Sequence, residues 1–88
     1  MNIIKGDIIG VNNNNYIVIE TLNYNYEKYA FVNELNENED IGENYYIFKI
    51  DNDTAIKLTD EDMINKLLEK FKDLINEDID NIININKG

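Results

Sequence analysis

The segment YYIFKIDNDTAIKLTDEDMINKLLEKFKDLI, Tyr45 to Ile75, changes its hydrophobic period midway, and that change decides the fold. Up to Ile50 the period is two: Tyr46, Phe48 and Ile50 fall on one face of an extended chain, and Tyr45, Ile47 and Lys49 on the other. Asp51-Asn52-Asp53 reads as a tight turn into a short strand with Ile56 and Leu58 on a common face. From Met63 the period becomes that of a helix. Met63, Ile64, Leu67, Leu68, Phe71, Leu74 and Ile75 form a broad apolar stripe. Asp60, Glu61 and Asp62 occupy the first turn, where the helix dipole favours negative charge, with Thr59 or Asp60 as the N-cap. Lys66, Lys70 and Lys72 stand at helical spacing from Asp62, Glu69 and Asp73.

Toward the N-terminus the chain reads as strands and turns. Ile8 to Val11, after Gly6-Asp7, suits a short strand, and Asn12-Asn13-Asn14-Asn15 a turn. Tyr16 to Tyr24 is β-branched and aromatic, Asn25-Tyr26-Glu27 turns the chain, and Lys28 to Leu35 gives a third strand through Tyr29, Ala30, Phe31 and Val32. Glu34 to Asn44 is polar, acidic and contains Gly42, so it reads as the one long loop. The expected fold is α+β: an antiparallel meander of four to five strands, strongly twisted or partly barrelled, followed by a C-terminal amphipathic helix packed across one face. Residues 1–76 make a single small domain. Residues 77–88 form an Ile/Asn-rich extension that fits a short second helix or a continuation of the first. Its isoleucines, Ile79 to Ile85, either close the domain's own core or serve as a docking element for a homodimer.

Composition narrows the function classes. The 88 residues include no His, Cys, Ser, Arg, Gln, Trp or Pro, and 18 acids stand against 8 lysines, for a net charge of −10. Ser-His-Asp and Cys-His catalysis and the usual zinc ligand sets are therefore absent, and no disulfide framework exists. Paired acids such as Glu37 and Asp40 would need a cleft for acid–base work, and so short a chain has little wall to build one. The charge repels nucleic acid and anionic membranes and favours basic partners. Neither a membrane span nor a signal-peptide apolar region is legible in the sequence, so a cytoplasmic location is expected. No cofactor is expected. Asp51-Asn52-Asp53-Thr54 resembles the start of a calcium loop, but Ala55 and Ile56 fall where such a loop needs a ligand and a glycine.

Two features offer a contact surface. The acidic segment, with Glu34, Glu37, Glu39, Asp40 and Glu43, either is a solvated loop or presents spaced carboxylates that imitate a nucleic-acid backbone, which requires a rigid frame. Of the six tyrosines, Tyr24, Tyr26, Tyr29, Tyr45 and Tyr46 cluster around the central strands, too many for a small fold to bury, and exposed Tyr is favoured at interfaces.

The series Tyr16 and Val18, then Thr21, Leu22 and Tyr24, then Lys28-Tyr29-Ala30, the acidic insertion, Tyr46-Ile47-Phe48-Lys49 and an acid-capped helix resembles a family of short acidic proteins of unknown function from low-GC Gram-positive bacteria. The chain departs from that pattern at Tyr26, where the family's hairpin usually has Gly, in the Lys5-Gly6-Asp7 opening and in the Ile-rich tail. The resemblance implies no activity. Size, charge and composition are also similar to those of small acidic inhibitors that phages and mobile elements direct at host nucleases, anti-CRISPR and anti-restriction proteins among them. The leading expectation is a non-enzymatic acidic binding protein that inhibits a basic nucleic-acid-handling protein such as a host nuclease or CRISPR effector. The alternative is a small housekeeping adaptor or structural subunit whose acidity only provides solubility.

Overall fold

Turn chemistry divides the first two-thirds of the chain into strands. In the computed structural model, which describes residues 2–87 and the side chains of residues 2–76, Asn12 and Asn13 take φ values of 52° and 68° between the paired residues Val11 and Asn14. Asn25 and Tyr26 do the same at 51° and 65° between Tyr24 and Glu27. Two left-handed residues in a two-residue connection match the right-handed twist of the flanking strands, and Asn tolerates that conformation better than most residues. The resulting strands are β1 (Ile8–Val11), β2 (Asn14–Tyr24), β3 (Glu27–Leu35), β4 (Ile41–Asp51) and β5 (Thr54–Lys57), followed by helix α1 (Glu61–Lys87). Every strand pairs antiparallel with its sequence neighbour in the order β1-β2-β3-β4-β5, so the fold is an α+β meander curled into a half-barrel.

The sheet carries apolar side chains on both faces. Its inner face gathers Tyr16, Val18, Ala30, Val32, Phe48 and Ile50. Its outer face presents Tyr29, Phe31 and Ile47 to α1, which buries Leu67 and Phe71 against them. Strand β2 contributes to both layers because its register shifts: Val18 pairs with Val32, but Glu20 pairs with Phe31, leaving Ile19 as an extra residue. A bulge of this kind reverses the face on which later residues point. Tyr16 and Val18 therefore face inward, while Leu22 and Tyr24 join the helix-side cluster.

The N-terminal segment closes the inner core. Ile3 is buried there, Lys28 Nζ donates to the Ile3 carbonyl, and Gly6 N donates to the Val18 carbonyl at 2.8 Å. The two sheet edges remain apart, separated by a 550 Å³ depression lined by β1 and by Asp53 to Ala55. At the start of α1, Asp60 is the N-cap: its Oδ1 accepts from Asp62 N at 3.0 Å and Met63 N at 3.4 Å. Lys66 and Lys70 extend over the Tyr24 ring, with Nζ 5.9 Å and 5.0 Å from its centre.

Two boundaries differ from the sequence reading, and the choice it left open for the tail is decided. Asn14 and Asn15 belong to β2, since the turn needs only two residues. The acidic loop shrinks to residues 36–40, because β3 continues through Leu35 and β4 starts at Ile41 rather than Tyr45. Helix α1 runs as one element to Lys87. The docking role expected for Ile79 to Ile85 rests on side chains outside the described residues.

Removing the Phe71 ring opens a cavity between α1 and the sheet. Phe71→Ala is expected to cost about 3–5 kcal/mol and Asp60→Ala about 1 kcal/mol, read from urea unfolding followed by circular dichroism; an equal loss for the two would contradict the helix-side packing.

Candidate functional site

The acidic hairpin between β3 and β4 is built around two asparagines. Between the pairs Asn33–Tyr45 and Leu35–Ile41, β4 holds Gly42, Glu43 and Asn44 where β3 holds only Glu34, so the regular ladder is interrupted. Asn33, the one buried polar residue among those described, fills the gap with its amide. Its Oδ1 accepts from Gly42 N at 2.9 Å, while Nδ2 donates to the Gly42 carbonyl at 2.9 Å and the Asn44 carbonyl at 3.4 Å. Gly42 must lack a side chain: a Cβ there would sit 2.3 Å from the Glu34 carbonyl oxygen.

Asn36 orders the tip. Its Oδ1 accepts from Asn38 N at 2.9 Å and Asp40 N at 3.0 Å, and its own amide donates to the Asp40 carbonyl at 2.9 Å. Side-chain acceptors of this type hold a turn that the backbone alone would not. Glu39 sits in the left-handed region at φ 62° and donates its N–H to the Asn36 carbonyl at 2.9 Å.

From this frame Glu37, Glu39, Asp40 and Glu43 project into solvent, with no ion pair among the described residues. Glu34 is half-buried and accepts a 3.3 Å hydrogen bond from the Tyr46 hydroxyl. Residues 29–48 contain these five carboxylates and no lysine. Elsewhere on the sheet two acids face lysines: Lys5 lies 3.7 Å from Glu20, and Lys49 3.5 Å from Glu27. Charge is thus segregated along the sheet, with its negative excess at the end that also holds the Asn12-Asn13 turn. Asn13 to Asn15 flank a depression shared with Leu35 to Glu37 and Glu39.

The tyrosines divide. Tyr16 and Tyr29 are buried in the two cores. Tyr46 is enclosed by its bond to Glu34 and by Lys57, whose Nζ lies 3.9 Å from the ring centre. Tyr24 is half-buried beneath Lys66 and Lys70, so its ring serves the fold's own packing. Tyr26 is fully exposed at 107 %, but at the β2–β3 turn, the opposite end of the sheet from the acidic hairpin. Of Tyr24, Tyr26 and Tyr45, only Tyr45 lies beside the acids. It is 52 % exposed and stacks on Phe31, with ring centres 5.6 Å apart and planes inclined by 14°.

Sequence reasoning overlooked Asn33, Asn36, Phe31, Ile41 and Leu68. Gly42 was visible as a lone glycine in an acidic stretch, a usual sign of close backbone approach. Ile41 is 72 % and Leu68 39 % exposed, extending the Tyr45 patch. Among the described residues no group of His, Cys, Asp and Glu side chains is arranged to hold a metal ion, and no helix is long and apolar enough to cross a membrane. Comparison with family models, with curated proteins and with solved structures returns no match.

Two predictions separate frame from surface. Asn33→Ala leaves the Gly42 amide and two carbonyls without their partner and is expected to cost about 1–3 kcal/mol, with amide hydrogen exchange accelerated at Gly42 more than at Val32 or Phe48. At Tyr26 a left-handed backbone is imposed on a bulky residue, so Tyr26→Gly is expected to raise stability by about 0.5–1 kcal/mol, measured as an upward shift of the urea midpoint at unchanged slope.

Proposed function

We propose that this protein is a non-enzymatic acidic binding protein that inhibits a basic nucleic-acid-handling protein, such as a host nuclease or CRISPR effector, by occupying its nucleic-acid channel or a neighbouring regulatory surface. The observation that carries this reading is the lysine-free acidic hairpin with its Asn33 and Asn36 frame. Consecutive Cα atoms are about 3.8 Å apart, so Glu37, Glu39 and Asp40 lie within about 11 Å of one another. That span is close to the Debye length of about 10 Å at 0.1 M salt. An approaching cationic surface therefore meets these charges together. A loop backbone already held by Asn36 has little freedom left to lose on binding, as in preorganised ligands. The net charge of −10 adds long-range attraction for a basic partner and repels free nucleic acid.

The adaptor reading also has an observation in its favour, the exposed apolar residues Tyr45, Ile41 and Leu68, which would hold a partner independently of salt. Stepwise salt elution of the tagged chain from a host-like lysate, read by mass spectrometry, distinguishes the two. Inhibition predicts recovery of a basic nuclease or polymerase, released by moderate salt and displaced by added DNA. It also predicts that joint replacement Glu34→Gln, Glu37→Gln, Glu39→Gln, Asp40→Asn and Glu43→Gln weakens capture by more than tenfold. A partner retained through high salt and indifferent to that replacement would replace inhibition with the adaptor reading.

A further inference from the structure

Strand β5 is shorter than β4 and leaves half of its outer edge bare. It pairs only with residues 48–51, and one further bond, from Leu58 N to the Ile47 carbonyl at 2.9 Å, ends the row before the chain turns into α1. Residues 41–46 therefore have β3 on one side and no strand on the other. Backbone groups alternate sides along a strand, so the direction that carries the Ile47 carbonyl to Leu58 also carries the N–H and C=O of Tyr45 outward. Gly42 N, the Gly42 carbonyl and the Asn44 carbonyl turn the other way, to the Asn33 amide, which leaves Ile41 and Glu43 facing out as well. Among the described residues no hydrogen bond meets the outward groups of Ile41, Glu43 and Tyr45. Their donors and acceptors stand along about 17 Å of edge, at about 3.3 Å per residue.

The form of an occupant follows from that row. Unpaired N–H and C=O groups on a sheet edge are met by an extended chain, which exchanges backbone hydrogen bonds with them and sets alternate side chains against the surface beside the edge. That surface is apolar. A depression of about 270 Å³ opens at Tyr45 and Ile47, walled by Phe31 and by Leu58, Ile64 and Leu68, with no charged side chain in its lining. A strand in the row that β5 leaves after Leu58 runs past Tyr45 and can place one side chain there.

The charge of the occupant follows from the two ends of the row. At the hairpin end Glu39, Asp40 and Glu43 are exposed, and at the other the chain between Leu58 and Ile64 exposes Asp60, Glu61 and Asp62. Lys57 is the lysine that reaches this edge, with its Nζ 3.9 Å from the centre of the Tyr46 ring. Lys72 borders a separate depression beside Phe71 and Ile75. Pairing with a second copy would set two such acidic edges together, each on a chain of net charge −10. Charged side chains on a free edge resist pairing of like with like, and these admit a basic strand.

We infer that residues 41–46 receive an extended segment of the partner protein, about six residues long, which adds a strand beside β4, seats one apolar side chain between Tyr45 and Leu68, and directs Lys or Arg side chains at Asp40, Glu43 and the acidic first turn of α1. The inference rests on the reading of the partner as basic and adds to it a site and a mode of pairing.

A capped seven-residue Lys/Thr peptide with one central Ile, titrated into the 15N-labelled full chain, tests it beside four relatives: two N-methylated at alternate amides, one set in each, one with Thr in place of Ile, and one with Glu in place of every Lys. The parent peptide is expected to shift the amides of Tyr45, Ile47 and Leu68 and to slow hydrogen exchange at Ile41, Glu43 and Tyr45. A strand bonds an edge through alternate residues, so one methylated peptide should bind within about twofold of the parent and the other about tenfold more weakly, a difference of about 1.4 kcal/mol. The Thr peptide should bind about fivefold more weakly for want of its apolar anchor, and Leu68→Asn, at an exposed position, should remove the advantage of Ile over Thr. Equal affinity for the two methylated peptides overturns strand pairing but leaves the acidic-surface reading standing. Exchange slowed in β1 or β5 instead overturns this edge. Binding of the Glu peptide as tight as that of the parent overturns the basic occupant and the acidic-surface reading with it. No binding by any peptide overturns the inference, while capture of a basic protein released by moderate salt would still keep the acidic-surface reading. Concentration-dependent shifts at residues 41–46 without peptide would make a second copy of this chain the occupant and overturn the inference.

Discussion

One unpaired residue, Ile19, reconciles a single curled sheet with two hydrophobic layers. Without the register shift, alternation along β2 would place Tyr16, Val18, Leu22 and Tyr24 on the same face. The helix side would then lose Leu22 and Tyr24, on which α1 depends. An 88-residue chain buries a modest fraction of its surface, and dividing its apolar residues between two layers leaves neither with much reserve. The extra residue in β2 makes that division workable: β3 alternates faces from Tyr29 to Val32 and β4 from Tyr45 to Phe48, while β2 changes face at its bulge.

The same economy shapes the acidic end. Like charges concentrated on a hairpin repel, and the local backbone must resist being pushed apart. The resistance comes from neutral amides: Asn33, buried, replaces the missing ladder bonds, and Asn36 gathers the tip. A lysine could have neutralised the repulsion but would have cancelled the field. Holding the backbone with Asn side chains leaves the carboxylate charge uncancelled. Beside this polar frame Tyr45 and Phe31 form an aromatic step down to the helix, so apolar and ionic contact features adjoin.

Much of the fold was legible from periodicity, because alternation in Tyr45 to Ile50 and the helical stripe from Met63 to Ile75 are both long and regular. The turn at Asn12-Asn13 was legible in kind, though an Asn run does not say which two residues turn. The β2 bulge was not legible: Ile19 is as apolar as its neighbours, and either face would accept it. The hairpin boundary was missed for a related reason, since Asn33 and Asn36 look like ordinary loop formers until their partners across the hairpin are known. At the candidate surface the acids were evident as a dense charge run, and the tyrosines as an excess. Which tyrosines stayed accessible depended on tertiary neighbours, with Tyr24 claimed by Lys66 and Lys70, and Tyr46 by Lys57 and Glu34.

The meander also governs how quickly the chain reaches its structure. Each strand meets only the strand before and after it, and three of the four connections are two-residue turns. Closing a short loop costs little chain entropy, and topologies rich in such contacts fold faster than other sheets of similar size. Helix α1 packs on side chains from β2, β3 and β4, so its burial draws on three strands that are themselves joined by hairpins. With no proline and no cysteine in these 88 residues, neither X-Pro isomerisation nor disulfide formation slows that assembly.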